Sequence, residues 1–238
     1  MEKPSLSTMV VLYKTNLKFD TTKLAECIPL NEDIVRVEKK GLVKRGESSR
    51  DKIKHRKKKE DKPTNNTGFG HNSITLVMMN DGDGTLEKKE ITIKIFQNGV
   101  FHLTGVLNEK YDRSSMEKLL EILKTCKESW KETDEPQILD RRVVLMNYTT
   151  ELVPKQTIPR EALHTAIRTA NLDHIMSYYD PDVYPGVKIH IGDEKWTAKV
   201  FRTGKIILTG VKSEDECQQL MNQLNTLLTT VLPKRITQ

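Results

Sequence analysis

A chain of 238 residues, 36% hydrophobic and 30% charged, is polar for a globular protein yet ample for two modest cores. No apolar run reaches membrane-spanning length and the N-terminus lacks a basic-then-apolar leader, which argues against a membrane partner and for an intracellular protein. Cys27, Cys126 and Cys217 are odd in number and far apart, with no zinc spacing. The net charge of +6 is local: residues 39–62 hold 12 Lys/Arg against 4 Asp/Glu, so the remainder is slightly acidic.

Residues 8–15, TMVVLYKT, predict a strand. Asp20 caps a predicted short helix through Cys27, with Leu24, Ala25 and Ile28 on one face, and residues 34–37 predict a second strand. Residues 39–70 change character and are read as a flexible basic insertion carrying Lys54, Arg56, Lys57, Lys58 and Lys59. Such a run can meet phosphates, serve as a nuclear import signal or be a solvated loop, and the sequence leaves all three open. Strand resumes at 73–79, and Asn80-Asp81-Gly82-Asp83-Gly84 is a turn. Its aspartates lack the downstream glutamate of a calcium loop, so no metal is expected.

A hairpin is predicted over 91–104, and Ser114-x-x-Glu117 suggests the start of a helix with the stripe Met116, Leu119, Leu120, Leu123 and Cys126. The polar stretch 131–136 divides two halves, 1–135 and 136–238. The second half offers a strand at 142–148 and a helix from Pro159 with Ala162, Leu163, Ala166, Ile167 and Ala170 as its buried stripe. A strand at 187–191 and a hairpin at 196–209 follow. A long helix opened by Ser213-x-x-Glu216 closes the half.

The two hairpins are copies. At an offset of 105, eight of sixteen positions are identical between 91–106 and 196–211, including Phe96/Phe201, Gly99/Gly204 and Thr104/Thr209. One supersecondary unit is therefore used twice. Side chains two apart on a strand share a face, so Ile91, Ile93 and Ile95 point one way and Thr92, Lys94 and Phe96 the other. Each half offers only one long helix, which covers one face and leaves the other to solvent. The open face carries Lys94, Phe96, His102 and Thr104 in the first half, and Lys199, Phe201, Lys205, Ile207 and Thr209 in the second, with Tyr184, Lys188 and His190 on a further strand face. An exposed Phe forgoes roughly 1.5–3 kcal/mol of burial. Aromatic wedges among threonines and lysines suit the DNA minor groove, while rings packed in a core under a loop or partner are the alternative.

Phe201-Arg202-Thr203-Gly204-Lys205-Ile206-Ile207-Leu208-Thr209-Gly210 resembles the F-x-S-G-K-x-x-x-T-G hairpin of the TATA-box-binding protein family, and Asp180-Pro181-Asp182-Val183-Tyr184-Pro185-Gly186 resembles its E-P-E-L-F-P-G. The resemblance implies an α+β fold: a pseudo-twofold duplicated saddle, with a curved antiparallel sheet on DNA and helices on its convex face. It implies ring pairs that enter the DNA: Tyr184 with Phe201, and Phe96 with a companion, for which Phe69 is the candidate. It offers Thr8, Val10, Lys94, His102, Thr104, Arg142, Lys188, His190, Lys199, Thr203, Lys205, Ile207 and Thr209 as DNA contacts. Thr8 and Arg141 or Arg142 stand where the family places its base-reading asparagines, Val100 replaces a lysine, and Lys94 and Lys199 replace apolar residues. These departures imply a relaxed sequence preference.

The function implied is a DNA-binding transcription initiation factor that binds the minor groove at promoters and bends double-stranded DNA. Its implied partners are a transcription factor B-like protein and RNA polymerase machinery. It would be a monomer on DNA, with a dimer as the alternative state in its absence. The alternative function is an interaction module of the same fold acting through proteins or nonspecific DNA contacts. The same topology resembles domains attached to some DNA glycosylases and RNases H. The chain lacks a clustered Asp/Glu set and a nucleophile-base pair, so neither catalysis nor a cofactor is expected. Divergence and added loops point to a large DNA virus as the source, and to the nucleus or a cytoplasmic viral factory as the location.

Overall fold

A computed structural model describes residues 1–52, 72–130, 135–153, 157–193 and 195–232. The elements run in the order β1 (Ser5–Thr15), α1 (Thr21–Cys27), β2 (Ile34–Lys39), β3 (Val43–Gly46), β4 (Ser73–Asn80), β5 (Lys89–Phe96), β6 (Val100–Val106), α2 (Glu109–Thr125), β7 (Ile138–Glu151), α3 (Arg160–Ala170), β8 (Ile175–Tyr178), β9 (Val187–Ile191), β10 (Thr197–Val200), β11 (Lys205–Val211) and α4 (Glu214–Val231). The second half repeats the first as strand, helix, four strands, long helix, except that β3 has no counterpart.

Contacts divide the chain into two compact units, Val10–Val143 and Met1–Met9 with Val144–Gln238. In the first-half unit the strand order is β3-β2-β4-β5-β6-β1, and in the second-half unit it is β7-β11-β10-β9-β8. Pairing is antiparallel throughout the registers observed. Among the described residues both orders are linear and end on an unpaired edge, at β3 and at β8. The expected curved saddle with helices on a convex face is therefore corrected to an open antiparallel sheet with flanking helices. Curling a sheet takes repeated bulges or joined edges, and here the register slips only locally, at Ile34/Arg36 and Leu208/Val211 among the described pairs.

Alternation builds each core. In the first-half unit Ile91, Ile93, Ile95, Phe101 and Leu103 are fully buried, together with Met116, Leu119 and Leu123 of α2, which packs on β4 and β6. In the second-half unit Val187, Ile189, Ile206 and Leu208 are buried with Leu220, Leu224 and Leu227 of α4, which packs on β9 and β11.

Three local expectations change. Helix α2 starts five residues before Ser114, because the Asn108 side chain accepts from the Lys110 N–H. Ser114 and Ser115 are buried within it. The stripe of α3 narrows to Leu163 and Ile167, with Ala162 and Ala170 exposed. β8 forms from IMSY, four residues that carry no alternation strong enough to mark a strand and are held there by pairing with β9. The Ser213 cap is present and accepts from the Glu216 N–H.

Candidate nucleic-acid interface

In the second-half unit, residues between the buried positions of β7 to β11 share the helix-free face. Lys205 and Ile207 alternate with buried Ile206 and Leu208, Lys199 with Ala198 and Val200, and Lys188 and His190 with Val187, Ile189 and Ile191. Register adds residues that sequence patterning missed. Thr149 stands opposite Ile207, so Thr149 and Asn147 lie on this face. Met176 stands opposite His190 and Tyr178 opposite Lys188, both more than half exposed. Asn147 offers both a donor and an acceptor, the equipment for base edges. The signal was available: Asn147 alternates with the apolar positions of the strand predicted at 142–148. Met176 and Tyr178 were hidden with β8 itself.

At one end of this face Tyr184 and Phe201 form a half-buried pair, ring centroids 5.8 Å apart. Gly186 sits beneath both: a Cβ there would come within 3.1 Å of the Tyr184 ring and 3.2 Å of the Phe201 ring. The absence of a side chain lets the two rings settle against the backbone. Lys188 and Lys199 are directly opposite each other across β9 and β10. Their ammonium groups lie 5.0 and 6.0 Å from the centre of the Tyr184 ring. Like charges in facing positions repel, and the ring face offsets this only in part. An anion between them would be welcome. His190 is bonded to the Thr197 hydroxyl at 3.0 Å and meets the Tyr178 ring edge-on at 5.5 Å. Thr209 bonds the Thr197 carbonyl at 3.4 Å, and Thr203 is exposed at the hairpin turn. Thr8 is half-buried in β1.

The first-half unit repeats the hairpin with different chemistry. Phe96 is half-buried and packs edge-on against His102, centroids 5.0 Å apart. Lys94 is exposed directly opposite His102, Thr104 bonds the Thr92 carbonyl at 3.5 Å, and Val10 alternates with buried Val11. Phe69 and the basic residues Lys54, Arg56, Lys57, Lys58 and Lys59 lie outside the described residues. Arg142 is exposed and close enough to His102 for its charge to be felt, whereas Arg141 turns to the helix side, where it holds buried Asp112.

Burial, then the charges of Lys94 and Arg142, hold the His102 pKa below its ordinary value, so the ring is neutral at pH 7. A phosphate brought near would reverse that balance, so a duplex bound at this face would add a proton to the ring. Affinity for duplex DNA is expected to rise as pH falls from 7.5 to 6, and His102→Gln should flatten the slope. Fluorescence anisotropy at matched ionic strength checks both. Without DNA the sign is opposite. The folded state resists the proton that the unfolded chain accepts, so the stability contributed by neutral His102 is lost as pH falls below about 6.5.

The family model for transcription factor TFIID, or TATA-binding protein, matches residues 163–231. The "TATA-box-binding protein 2" of Methanosarcina acetivorans is 24% identical over 143 residues, 60% of this chain and 71% of the relative. The TATA-box-binding protein of Pyrobaculum neutrophilum is 36% identical over 53 residues, 22% of this chain and 27% of the relative. Among solved structures, Methanococcus jannaschii TBP superposes with a TM-score of 0.61 at 16% identity, covering 97% of this chain and 99% of that one, which is a likeness of fold. These relatives are archaeal and lend nothing to a viral origin. Residues 163–231 are thus similar in sequence to the TATA-binding protein family, and the whole chain shares the fold of an archaeal TBP.

Proposed function

We propose that the helix-free face of this chain binds double-stranded DNA through the minor groove in transcription initiation, inserting Tyr184 and Phe201 at a base step. The homology supports a general DNA-binding, transcription-factor role and a non-catalytic one. The observation that carries the finer reading is the Tyr184–Phe201 pair with Lys188 and Lys199 facing each other beside it. Apolar rings unstack the step and bend the duplex, and the two ammonium groups take the phosphates that flank it. Asn147, Thr149 and Thr209 supply few base-edge contacts, and the minor groove itself distinguishes A·T from G·C only coarsely. Sequence preference is therefore shallow. A transcription factor B-like protein and RNA polymerase are the partners that this role implies.

The test is a salt titration of binding to short duplexes with and without an A·T-rich core, alongside end-to-end energy transfer to detect bending. The expected result is bent DNA, a core preference of about tenfold or less, and a salt slope that becomes shallower by about one when Lys188 is replaced by alanine. Straight DNA at saturating protein would end the insertion model.

A further inference from the structure

The helix-free face of the first-half unit is partly occupied by the chain itself. After β3 the backbone turns sharply at Gly46, φ 73°, where any Cβ would collide with the Val35 carbonyl oxygen. It then runs across the sheet. Ser48, 3% exposed, donates its hydroxyl to Glu90 Oε2 at 2.8 Å. The Ser49 N–H donates to Glu90 Oε1 at 2.7 Å, and the Ser49 hydroxyl to Oε2 at 2.9 Å. Asp51 accepts from the Ser48 N–H at 3.1 Å and from Arg36 Nη1 at 2.6 Å.

Both anchors stand on the helix-free face. Glu90 is two residues from Thr92 on β5, and Arg36 stands opposite Val77. β4 lies between them, and its Val77, on that same face, is only 3% exposed. The corresponding outer strands of the second-half unit are bare, with Met176 57% and Tyr178 52% exposed.

We propose that residues 46–52 are a lid that duplex DNA must displace before it can use the outer strands of the first-half unit. The proposal rests on the DNA reading above. The closed lid lays the Asp51 carboxylate, beside Glu90 of the sheet, over the face that phosphates would approach, so lid and duplex exclude each other by charge as well as by volume. The second-half unit then provides the first point of attachment, and the measured affinity is lowered by the fraction of molecules whose lid is closed.

Two substitutions in the full chain open the lid by opposite changes of charge. Glu90→Ala removes the acceptor of the three hydrogen bonds from Ser48 and Ser49. Ser49→Glu, at an exposed site, sets a second carboxylate against Glu90. Both are expected to speed hydrogen exchange at the Ser49 amide and to tighten binding to an A·T-rich duplex by about five- to tenfold. Ser49→Glu is decisive, because added negative charge alone would weaken binding. If Glu90→Ala tightens and Ser49→Glu weakens, charge alone accounts for the data and the lid is overturned. Affinities equal to wild type in both variants also overturn it and leave the DNA reading standing. If wild type and both variants all fail to bind, lid and DNA reading fall together.

Discussion

Exchanging Asp112 for alanine is expected to cost the first-half unit about 3–5 kcal/mol of stability. Asp112 is fully buried in α2, and its two oxygens accept three hydrogen bonds from two residues. Tyr13 donates its hydroxyl at 2.6 Å, and Arg141 donates from Nε at 2.7 Å and from Nη2 at 3.1 Å. The network ties α2 to β1 and β7. With Asp112 gone, Arg141 keeps, among the described residues, Glu109 at 3.9 Å and the Tyr13 hydroxyl at 3.1 Å.

Tyr13→Phe should cost far less, about 1 kcal/mol, because the ion pair survives. Replacing Tyr13, Asp112 and Arg141 together by apolar residues of similar volume should come close to neutral. Urea unfolding followed by circular dichroism orders the three variants. A loss below about 1 kcal/mol for Asp112→Ala would mean that water reaches Arg141 and that the pair contributes little. The same site sets an alkaline limit. Burial, then the Asp112 hydrogen bond, raises the Tyr13 pKa, so its contribution is complete below pH 10 and is lost as pH climbs towards the folded-state value.

The second large effect is expected at the rings. Tyr184→Ala and Phe201→Ala should each weaken duplex binding by about 10- to 100-fold, the equivalent of the roughly 1.5–3 kcal/mol of apolar burial that each insertion supplies. Because the rings touch, the double variant should lose less than the product of the two single effects. Gly186→Ala should weaken binding by less than either single variant, since its Cβ, 3.1 and 3.2 Å from the two rings, would shift each by only a few tenths of an ångström. Bending falls with affinity in all of them, whereas Lys188→Ala weakens binding and leaves the bend angle intact. Anisotropy and energy transfer on the same labelled duplex separate the two kinds of loss. Unchanged affinity in the double variant would show that the rings lie outside the interface.

The sequence by itself showed the identities at offset 105, the two hairpins and which side chains share a face within them. Identity at offset 105 and strict alternation are local properties, and strand geometry turns alternation directly into faces. It also placed the caps Asp20 and Ser213, whereas alternation left open whether Phe96 and Phe201 lie in the core or on the open face, which the structure decided. The tertiary structure decided what alternation cannot encode. Arg141 and Arg142 are neighbours of the same type, and only the position of buried Asp112 on α2 sends one inward while the other stays exposed. β8 exists because β9 offers it an edge, and with it come Met176 and Tyr178.

Residues 46–52 show the same limit most clearly. They are polar and read as part of a solvated insertion, yet Glu90 and Arg36, far off in sequence, hold them on the sheet. Whether the sheet curls was beyond the sequence as well, because curvature depends on how strand registers accumulate across a whole sheet rather than on any one strand.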